Sequence, residues 1–146
     1  MFSQLDCEIL GVDNVESKAQ QAFEALSLLI ALRLWLPRFP HNRVRVKVRG
    51  DNMAALSLLT KMQPKSQSLQ VVARELALDI AMTSFTPDFV EHVAGISNTV
   101  ADTLSRKTEL GHSYRLPVIL TNCEFTNSGT RLREWWVTKR ADDILS

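Results

Sequence analysis

The sequence has few cysteines: only Cys7 and Cys123 occur in its 146 residues, and they lie far apart. Small secreted domains held by disulfides carry four or more cysteines at short spacings, so this class of protein is excluded. Reduced thiols in an intracellular compartment are expected instead. Five glycines and five prolines are likewise too few for a collagen-like or linker composition.

An excess of charge of either sign is also lacking, because 17 basic residues balance 16 acidic ones and the net charge is +1. This balance excludes a polybasic tail protein, an acidic disordered chain and a highly cationic nucleic-acid coat.

Long hydrophobic runs are missing as well. The most apolar stretch, residues 25–36, is interrupted by Arg33 and is too short to cross a bilayer. The N-terminus carries Asp6 and Glu8 and has no basic segment before an apolar run, so it does not resemble a signal peptide. We therefore expect a soluble intracellular protein that is not secreted and has no membrane partner.

What is present is an alternation of helical and strand patterns in a chain that is 45% hydrophobic and long enough to bury a core. Periodicity predicts a weak strand or irregular lead-in over 1–15, followed by a buried helix over 19–36 with a capping box at Ser17 and Gln20. A strand over 43–49 comes next, and then two helices, one over 52–62 and one from Ser66. The pattern ends with a strand over 89–94 and a short helix over 98–106.

This order favours an α/β fold, in which neighbouring strands are parallel and helices pack on the faces of the sheet. The helix from Ser66 carries an apolar stripe of Leu69, Val72, Ala73, Leu76 and Ile80. Beyond residue 107 the pattern weakens. Residues 114–121 are compatible with a strand. Further along, Trp135–Trp136 is expected either to cap the domain or to contact a partner.

Three carboxylates stand at the ends of predicted elements. Asp51 directly follows the alternating strand, and Asp102 lies in the first turns of the helix after the second strand. Since open α/β sheets bind ligands at the carboxyl ends of parallel strands, we expect both acids at one edge of the sheet. Glu24 is an isolated acid in the apolar first helix and needs a partner, because an unpaired buried carboxylate is costly. A divalent cation shared by several carboxylates is one such partner.

Each acid also has a simpler interpretation. Asp is a common N-cap after a strand, so Asp51 is a candidate cap for the following helix. Asp102 and Arg106 have the spacing of a surface ion pair on a helix. Glu24 at the rim of the core would simply face solvent, and the basic row over 43–49 is typical of a solvated strand face.

Three segments, in this order and at these separations, resemble the ribonuclease H domain of retrotransposon reverse transcriptases. They are AFEALSLLIALRLW (22–35), VRVKVRGDNMAALSLL (44–59) and HVAGISNTVADTLSR (92–106). In that family a helix carries a glutamate, a strand ends in Asp-Asn, and a strand with His and Gly precedes a helix with Asn and Ala-Asp-Leu-Ser-Arg. The last motif is the most specific of the three, and the resemblance covers residues 17–106.

The resemblance implies an α/β fold of ribonuclease H type, a three-layer arrangement with a mixed sheet and helices on both faces, incomplete at the N-terminus. It divides the chain into a lead-in or remnant strand over 1–16, a ribonuclease H-like domain over 17–107 and a C-terminal extension of unknown role over 108–146.

By the same resemblance, Glu24, Asp51 and Asp102 match three of the four acidic residues that hold two Mg²⁺ ions, with Mn²⁺ as an alternative metal. The implied activity is metal-dependent endonucleolytic hydrolysis of the RNA strand of an RNA–DNA hybrid. An adjoining reverse transcriptase domain is an implied partner. Residues implied to contact the nucleic acid are Arg49, Asn52, Asn98 and Arg106.

One part of the family pattern is missing from this sequence: a β-hairpin whose first strand carries another catalytic Asp. Asp13 lies too close to Glu24 in sequence to replace that residue, although Asp6 or Asp13 is a candidate to approach the site. The mobile histidine of many cellular relatives is also missing, because His92 falls within the predicted strand.

These departures predict weak cation binding, slow or absent hydrolysis by this chain alone, and an open edge on the basic strand. They also suggest a fragment of a longer retroelement polyprotein or a decayed reading frame. Two alternatives stay open: a catalytically inactive ribonuclease H-like module that binds nucleic acid or supports a neighbouring polymerase domain, and an unrelated α/β adaptor domain.

Overall fold

A computed structural model describes residues 2–13, 17–38, 44–61, 64, 66–82, 85–94, 98–111 and 113–137. Its helices and strands, numbered in chain order, are α1 (Gln4–Leu10), α2 (Ser17–Trp35), β1 (Val44–Gly50), α3 (Met53–Lys61), α4 (Gln67–Met82), β2 (Phe85–His92) and α5 (Thr99–Ser105). Single 3₁₀ turns form at Leu36–Arg38, Val118–Leu120 and Arg133–Trp135. The predicted mixture of helices and strands is therefore confirmed from α2 to α5. The side chain of Ser17, and with it the predicted capping box, lies outside the described residues.

The described part of the lead-in, residues 2–13, contains a helix, so the predicted weak strand or irregular lead-in over 1–15 is wrong there. Ser3 Oγ accepts a hydrogen bond from the backbone N–H of Asp6 at 3.2 Å, and the Asp6 carboxylate accepts one from the Ser3 N–H at 2.8 Å. This reciprocal capping box begins α1, and Gly11 ends it in a left-handed conformation with φ 65°. These local signals outweigh the imperfect alternation of apolar residues.

The two strands form a parallel sheet, as the alternation of strands and helices predicts. β2 begins earlier than expected and includes Pro87, which pairs with Val46. The register shifts at the next step, because Lys47 pairs with Phe89 and Asp88 is skipped. Proline has no N–H to give to a sheet and is tolerated at such an irregularity.

The alternating sequence of β1 separates the two faces of this strand. Val46 and Val48 are half-buried and pack against the hydrophobic core. Arg45, Lys47 and Arg49 are exposed on the other face. The period-two pattern therefore has the consequence expected from strand geometry.

The core lies between α2 and α4. The predicted stripe on α4 is buried from Leu69 to Leu76, and Ile80 packs half-buried against the core. No helix in the described part of the chain has the length and apolar character needed to cross a membrane. The buried residues that α2 contributes are Ala19, Ala22, Ala25, Leu26, Leu29 and Leu32.

Residues 131–137, called here the C-terminal segment, pack on this same core. Trp136 is 0% exposed and belongs to the core cluster, so Trp135–Trp136 caps the domain. The strand compatible with residues 114–121 does not form. Instead, Pro117 precedes a single turn in which the N–H of Thr121 bonds to the carbonyl of Val118 at 3.1 Å.

A buried ion pair ties the C-terminal segment to α1. The Arg131 side chain is 4% exposed and its Nη2 lies 2.7 Å from Oδ2 of Asp6, which is 0% exposed. Burial alone would raise the pKa of Asp6, but hydrogen bonds from Arg131 and Ser3 outweigh it, and the net pKa lies below the ordinary value of 3.8. Asp6 therefore has a structural role, because its carboxylate pairs with Arg131 in the interior.

A second ionic cluster joins α2, α4 and the C-terminal segment around Arg33. Its guanidinium contacts Asp79 at 2.7 Å, Glu75 at 2.6 Å and the carbonyl of Trp135 at 2.7 Å. Glu75 also accepts the N–H of Val137 at 3.1 Å. Burial lowers the pKa of Arg33, yet the carboxylates of Asp79 and Glu75 raise it by more, so the side chain stays charged.

Asp6→Asn is expected to lower the free energy of unfolding by about 3–5 kcal/mol at pH 7, because it leaves the buried Arg131 without its counter-charge. Since the pKa of Asp6 is lowered by folding, this advantage of the wild type is present above pH 3.8 and is lost as pH falls through the folded pKa. Urea unfolding across pH measures it. Asp13→Asn, at an exposed acid, is the control, and a loss that is constant with pH would contradict the assignment.

Trp136→Ala is expected to cost about 3–5 kcal/mol, because it opens a cavity in the core. Trp35→Ala is the matched control, since Trp35 is 55% exposed and its loss should cost about 1 kcal/mol or less. Urea unfolding followed by far-UV circular dichroism compares the two variants. Equal losses would mean that the C-terminal segment does not contribute to the core in solution.

Candidate functional site

An open cleft of about 510 Å³ lies at the carboxyl end of β1, between α2 and α5. Glu24 lines it from α2, Asp51 from the turn after β1, and Asp102 from α5. The fold therefore brings these three acids, which are far apart in sequence, to one cleft. Its floor is apolar and is formed by Leu28, Val48, Ala55 and Leu56.

Glu24 is half-buried and both of its carboxylate oxygens are engaged. Oε1 accepts a hydrogen bond from Gln20 Nε2 at 3.2 Å, one turn earlier on α2. Oε2 accepts one from the side-chain amide of Asn52. The partner that an acid in this helix needs is thus supplied by two neutral amides in the structure.

Asn52 makes a junction between α2 and α3. While its Nδ2 donates to Glu24, its Oδ1 accepts the N–H of Ala55 at 3.1 Å, and its carbonyl accepts the N–H of Leu56 at 3.1 Å. These bonds make Asn52 the N-cap of α3. The simpler interpretation of Asp51 as that cap is therefore wrong.

Asp51 is exposed at the mouth of the cleft. Its backbone carbonyl lies 3.1 Å from Nε2 of His92, the last residue of β2. This contact joins the carboxyl ends of the two parallel strands. Asp51 and Glu24 also line a second, more open hollow beside this cleft, together with Asn52.

Asp102 stands on the opposite wall, in the first turn of α5. Its carboxylate pairs with Arg106 Nε, 3.2 Å from each oxygen, and Arg106 also lies 3.8 Å from Glu109. The predicted i,i+4 ion pair is therefore present. Its side chains are exposed, so it contributes a few tenths of a kcal/mol. Arg106 thus holds Asp102 and does not itself line the described cleft.

The remaining residues expected to contact nucleic acid lie on the cleft. Arg49 lines it from the end of β1 and pairs with Glu91 of β2 at 2.8 Å. Asn98 lines it at the start of α5 and makes no side-chain capping bond there. Ser105, which is not among the predicted site residues, also lines the cleft from α5, one turn after Asp102. Its i+3 spacing from Asp102 was the available signal.

The candidates Asp6 and Asp13 do not approach this cleft. Asp6 is bound to Arg131 in the interior, and Asp13 is exposed after α1; neither lines the cleft. The expected approach of either acid is therefore wrong. The reason is the helix α1, which turns Asp6 towards the C-terminal segment.

Carboxylate and amide oxygens are the ligands that hard cations such as Mg²⁺ prefer, so the chemistry of this lining fits the metal. The convergence of the ligands is incomplete. Among the described residues, no group of three or more Asp, Glu, His or Cys side chains is placed to hold one ion. The three acids line one cleft without forming such a group.

Comparison with known proteins adds nothing to this geometry: no family model, no curated protein and no solved structure matches the chain. The interpretation of the cleft rests on its residues and on the resemblance of the three motifs.

Asn52→Ala should destabilise the protein, because it removes both a helix cap, worth about 0.5–2 kcal/mol, and a hydrogen bond to a charged group, worth about 1.5–3 kcal/mol. Asn98→Ala is the matched control. Asn98 begins α5 without a side-chain capping bond, so its loss should stay within about 0.5 kcal/mol. Urea unfolding measures both variants, and similar losses would show that Asn52 does not join α2 to α3 in solution.

Proposed function

We propose that the chain is a metal-dependent endonuclease domain of ribonuclease H type, which hydrolyses the RNA strand of RNA–DNA hybrids within a retroelement reverse transcriptase polyprotein. One observation carries this proposal. Glu24, Asp51 and Asp102, each from a different one of the three family-like motifs, line a single cleft at the strand ends.

The proposal extends to the fold. The parallel pairing of β1 with β2, and the helix after each strand, are compatible with the three-layer arrangement of ribonuclease H, in which a mixed sheet carries helices on both faces. An adjoining reverse transcriptase domain is the proposed neighbour.

Glu24, Asp51 and Asp102 are the residues that would hold Mg²⁺ or Mn²⁺. When bound, such ions lower the pKa of water and stabilise developing charge on the leaving oxygen. The chain's own residues arrange this site: Asn52 and Gln20 orient the Glu24 carboxylate, and Arg106 orients that of Asp102. Weak cation binding, expected because the fourth acid of the family pattern is missing, stays a prediction.

An open cleft suits a polymer better than a small molecule, since a small ligand needs walls on most of its sides. Arg49 and Asn98 on its rim are suited to phosphate and sugar oxygens, contacts that position a duplex without reading its sequence. Discrimination of a hybrid would rest on groove shape and 2′-hydroxyls.

A second candidate is a catalytically inactive module of the same type that binds nucleic acid or supports the polymerase domain. The specific observation in its favour is that the acids already have partners: two amides on Glu24 and a guanidinium on Asp102. A carboxylate held in this way is less available to a metal ion.

The test is incubation of the chain with an end-labelled RNA–DNA hybrid and Mg²⁺. Asp51→Asn should lower the cleavage rate by at least about 10²-fold, the scale on which loss of one charge-stabilising group acts. Asp13→Asn removes an exposed acid outside the cleft and should leave the rate unchanged, with folding of both variants checked by circular dichroism.

The outcomes separate the two candidates. Cleavage that persists in Asp51→Asn would remove this residue from the site and contradict the nuclease proposal. Binding of hybrid without cleavage by the wild type, in either Mg²⁺ or Mn²⁺, would favour the inactive module.

A further inference from the structure

The exposed face of β1 carries a row of cations that continues beyond the cleft. Arg45, Lys47 and Arg49 alternate with half-buried valines, so all three side chains lie on the solvent face of the sheet. Lys47 and Arg49 are 51% and 59% exposed. The nuclease proposal uses Arg49 alone, because only this residue of the row lines the cleft.

Cations outnumber carboxylates among the described side chains of this face. Its neighbour on β2, Glu91, lies 2.8 Å from Arg49 Nε and 3.7 Å from Lys47 Nζ. The described side chains of the face therefore comprise three cations and this one carboxylate. A chain with a net charge of +1 thus concentrates positive charge along a single strand.

Arg45, Lys47 and Arg49 lie on one line along β1, and this line leads to the cleft. Alternate residues of a strand are about 6.6 Å apart, so the three cations follow one line that ends at Arg49 on the cleft rim. Nucleotides rise by about 3.4 Å along each strand of a duplex. Neighbouring side chains of the row are therefore spaced to reach phosphates one or two nucleotides apart.

We propose that Arg45 and Lys47 bind the sugar–phosphate backbone of a polynucleotide strand whose continuation lies in the cleft. The inference rests on the proposed function for its ligand, since the same nucleic acid would occupy both surfaces. It goes further by assigning a second contact surface and a direction of entry along β1. The contacts are independent of sequence, because they reach only phosphates.

A polynucleotide is favoured over an anionic membrane by shape and continuity. The cations form a single line along one strand, whereas attraction to a lipid surface grows with the number of basic residues spread over a broad patch. The line also runs without a break into the cleft that holds the candidate catalytic residues.

The experiment compares two double variants that remove the same charge. Arg45→Gln with Lys47→Gln alters the row, and Arg38→Gln with Arg74→Gln alters exposed cations after α2 and on α4. The probe is a fluorescein-labelled RNA–DNA hybrid in EDTA, so that no cleavage occurs, with anisotropy recorded over a series of salt concentrations. Thermal unfolding verifies that each variant is folded.

The row variant should bind at least about 10-fold more weakly at low salt, and its slope of log K against log salt should become shallower by about 1.4–1.8, the value for two lost phosphate contacts. The control variant should retain the wild-type slope. Equal changes in the two variants would reduce the effect to net charge and overturn the proposal, as would an unchanged slope in the row variant.

Failure of this inference is distinguishable from failure of the nuclease proposal. If the wild type does not cleave the hybrid, but the slope of log K against log salt becomes shallower in the row variant, the phosphate contacts of Arg45 and Lys47 are supported and the nuclease proposal is contradicted. If cleavage depends on Asp51 while the salt slope of the row variant equals that of the wild type, only the proposed contacts of Arg45 and Lys47 are contradicted. Binding of phosphatidylserine vesicles through Arg45 and Lys47, with no affinity for the hybrid, would overturn the row as a nucleic-acid surface.

Discussion

The fold depends on how the charge of Arg33 is satisfied. A guanidinium in the last turn of the most apolar helix, with a side chain only 15% exposed, is tolerated only if carboxylates contact it, and Asp79 and Glu75 on α4 do so at 2.7 and 2.6 Å. This requirement fixes the packing of α2 against α4. It also sets the path of the C-terminal segment, because Arg33 binds the Trp135 carbonyl and Glu75 binds the Val137 N–H. Trp136 thereby enters the core.

The position of α2 in turn decides where Glu24 lies. About two and a half turns of helix separate it from Arg33, so the helix that is anchored in its last turn presents Glu24, near its middle, to the end of β1. Asn52 completes the connection by capping α3 and donating to Glu24 together. A single amide thus couples the start of α3 to the orientation of an acid in the cleft. This arrangement satisfies Glu24 without a cation.

For the proposed binding of nucleic acid, the positions of the charged residues matter more than the net charge of the chain. The near-neutral composition argues against a protein that coats nucleic acid, yet the alternation of β1 collects cations on one exposed face beside a cleft lined by acids. Acids in the cleft would repel a phosphate backbone unless cations lie nearby, and a basic row on the approach offsets that repulsion. The proposed entry surface would thus offset the negative charge of the candidate nuclease site.

Local pattern was sufficient to predict α2, β1, α3, α4 and α5, because helix and strand periodicities are written in residues a few positions apart. It also predicted parallel strands and so the meeting of Asp51 with Asp102 near one edge. The pairing of Asp6 with Arg131, and of Arg33 with Asp79, was decided only by tertiary structure: these partners are 125 and 46 residues apart, and no local spacing encodes them. The amide of Gln20 lies one helical turn from Glu24, a local spacing. The amide of Asn52 could not be read from the sequence, because it is 28 residues away and meets Glu24 only where α2 packs beside the start of α3.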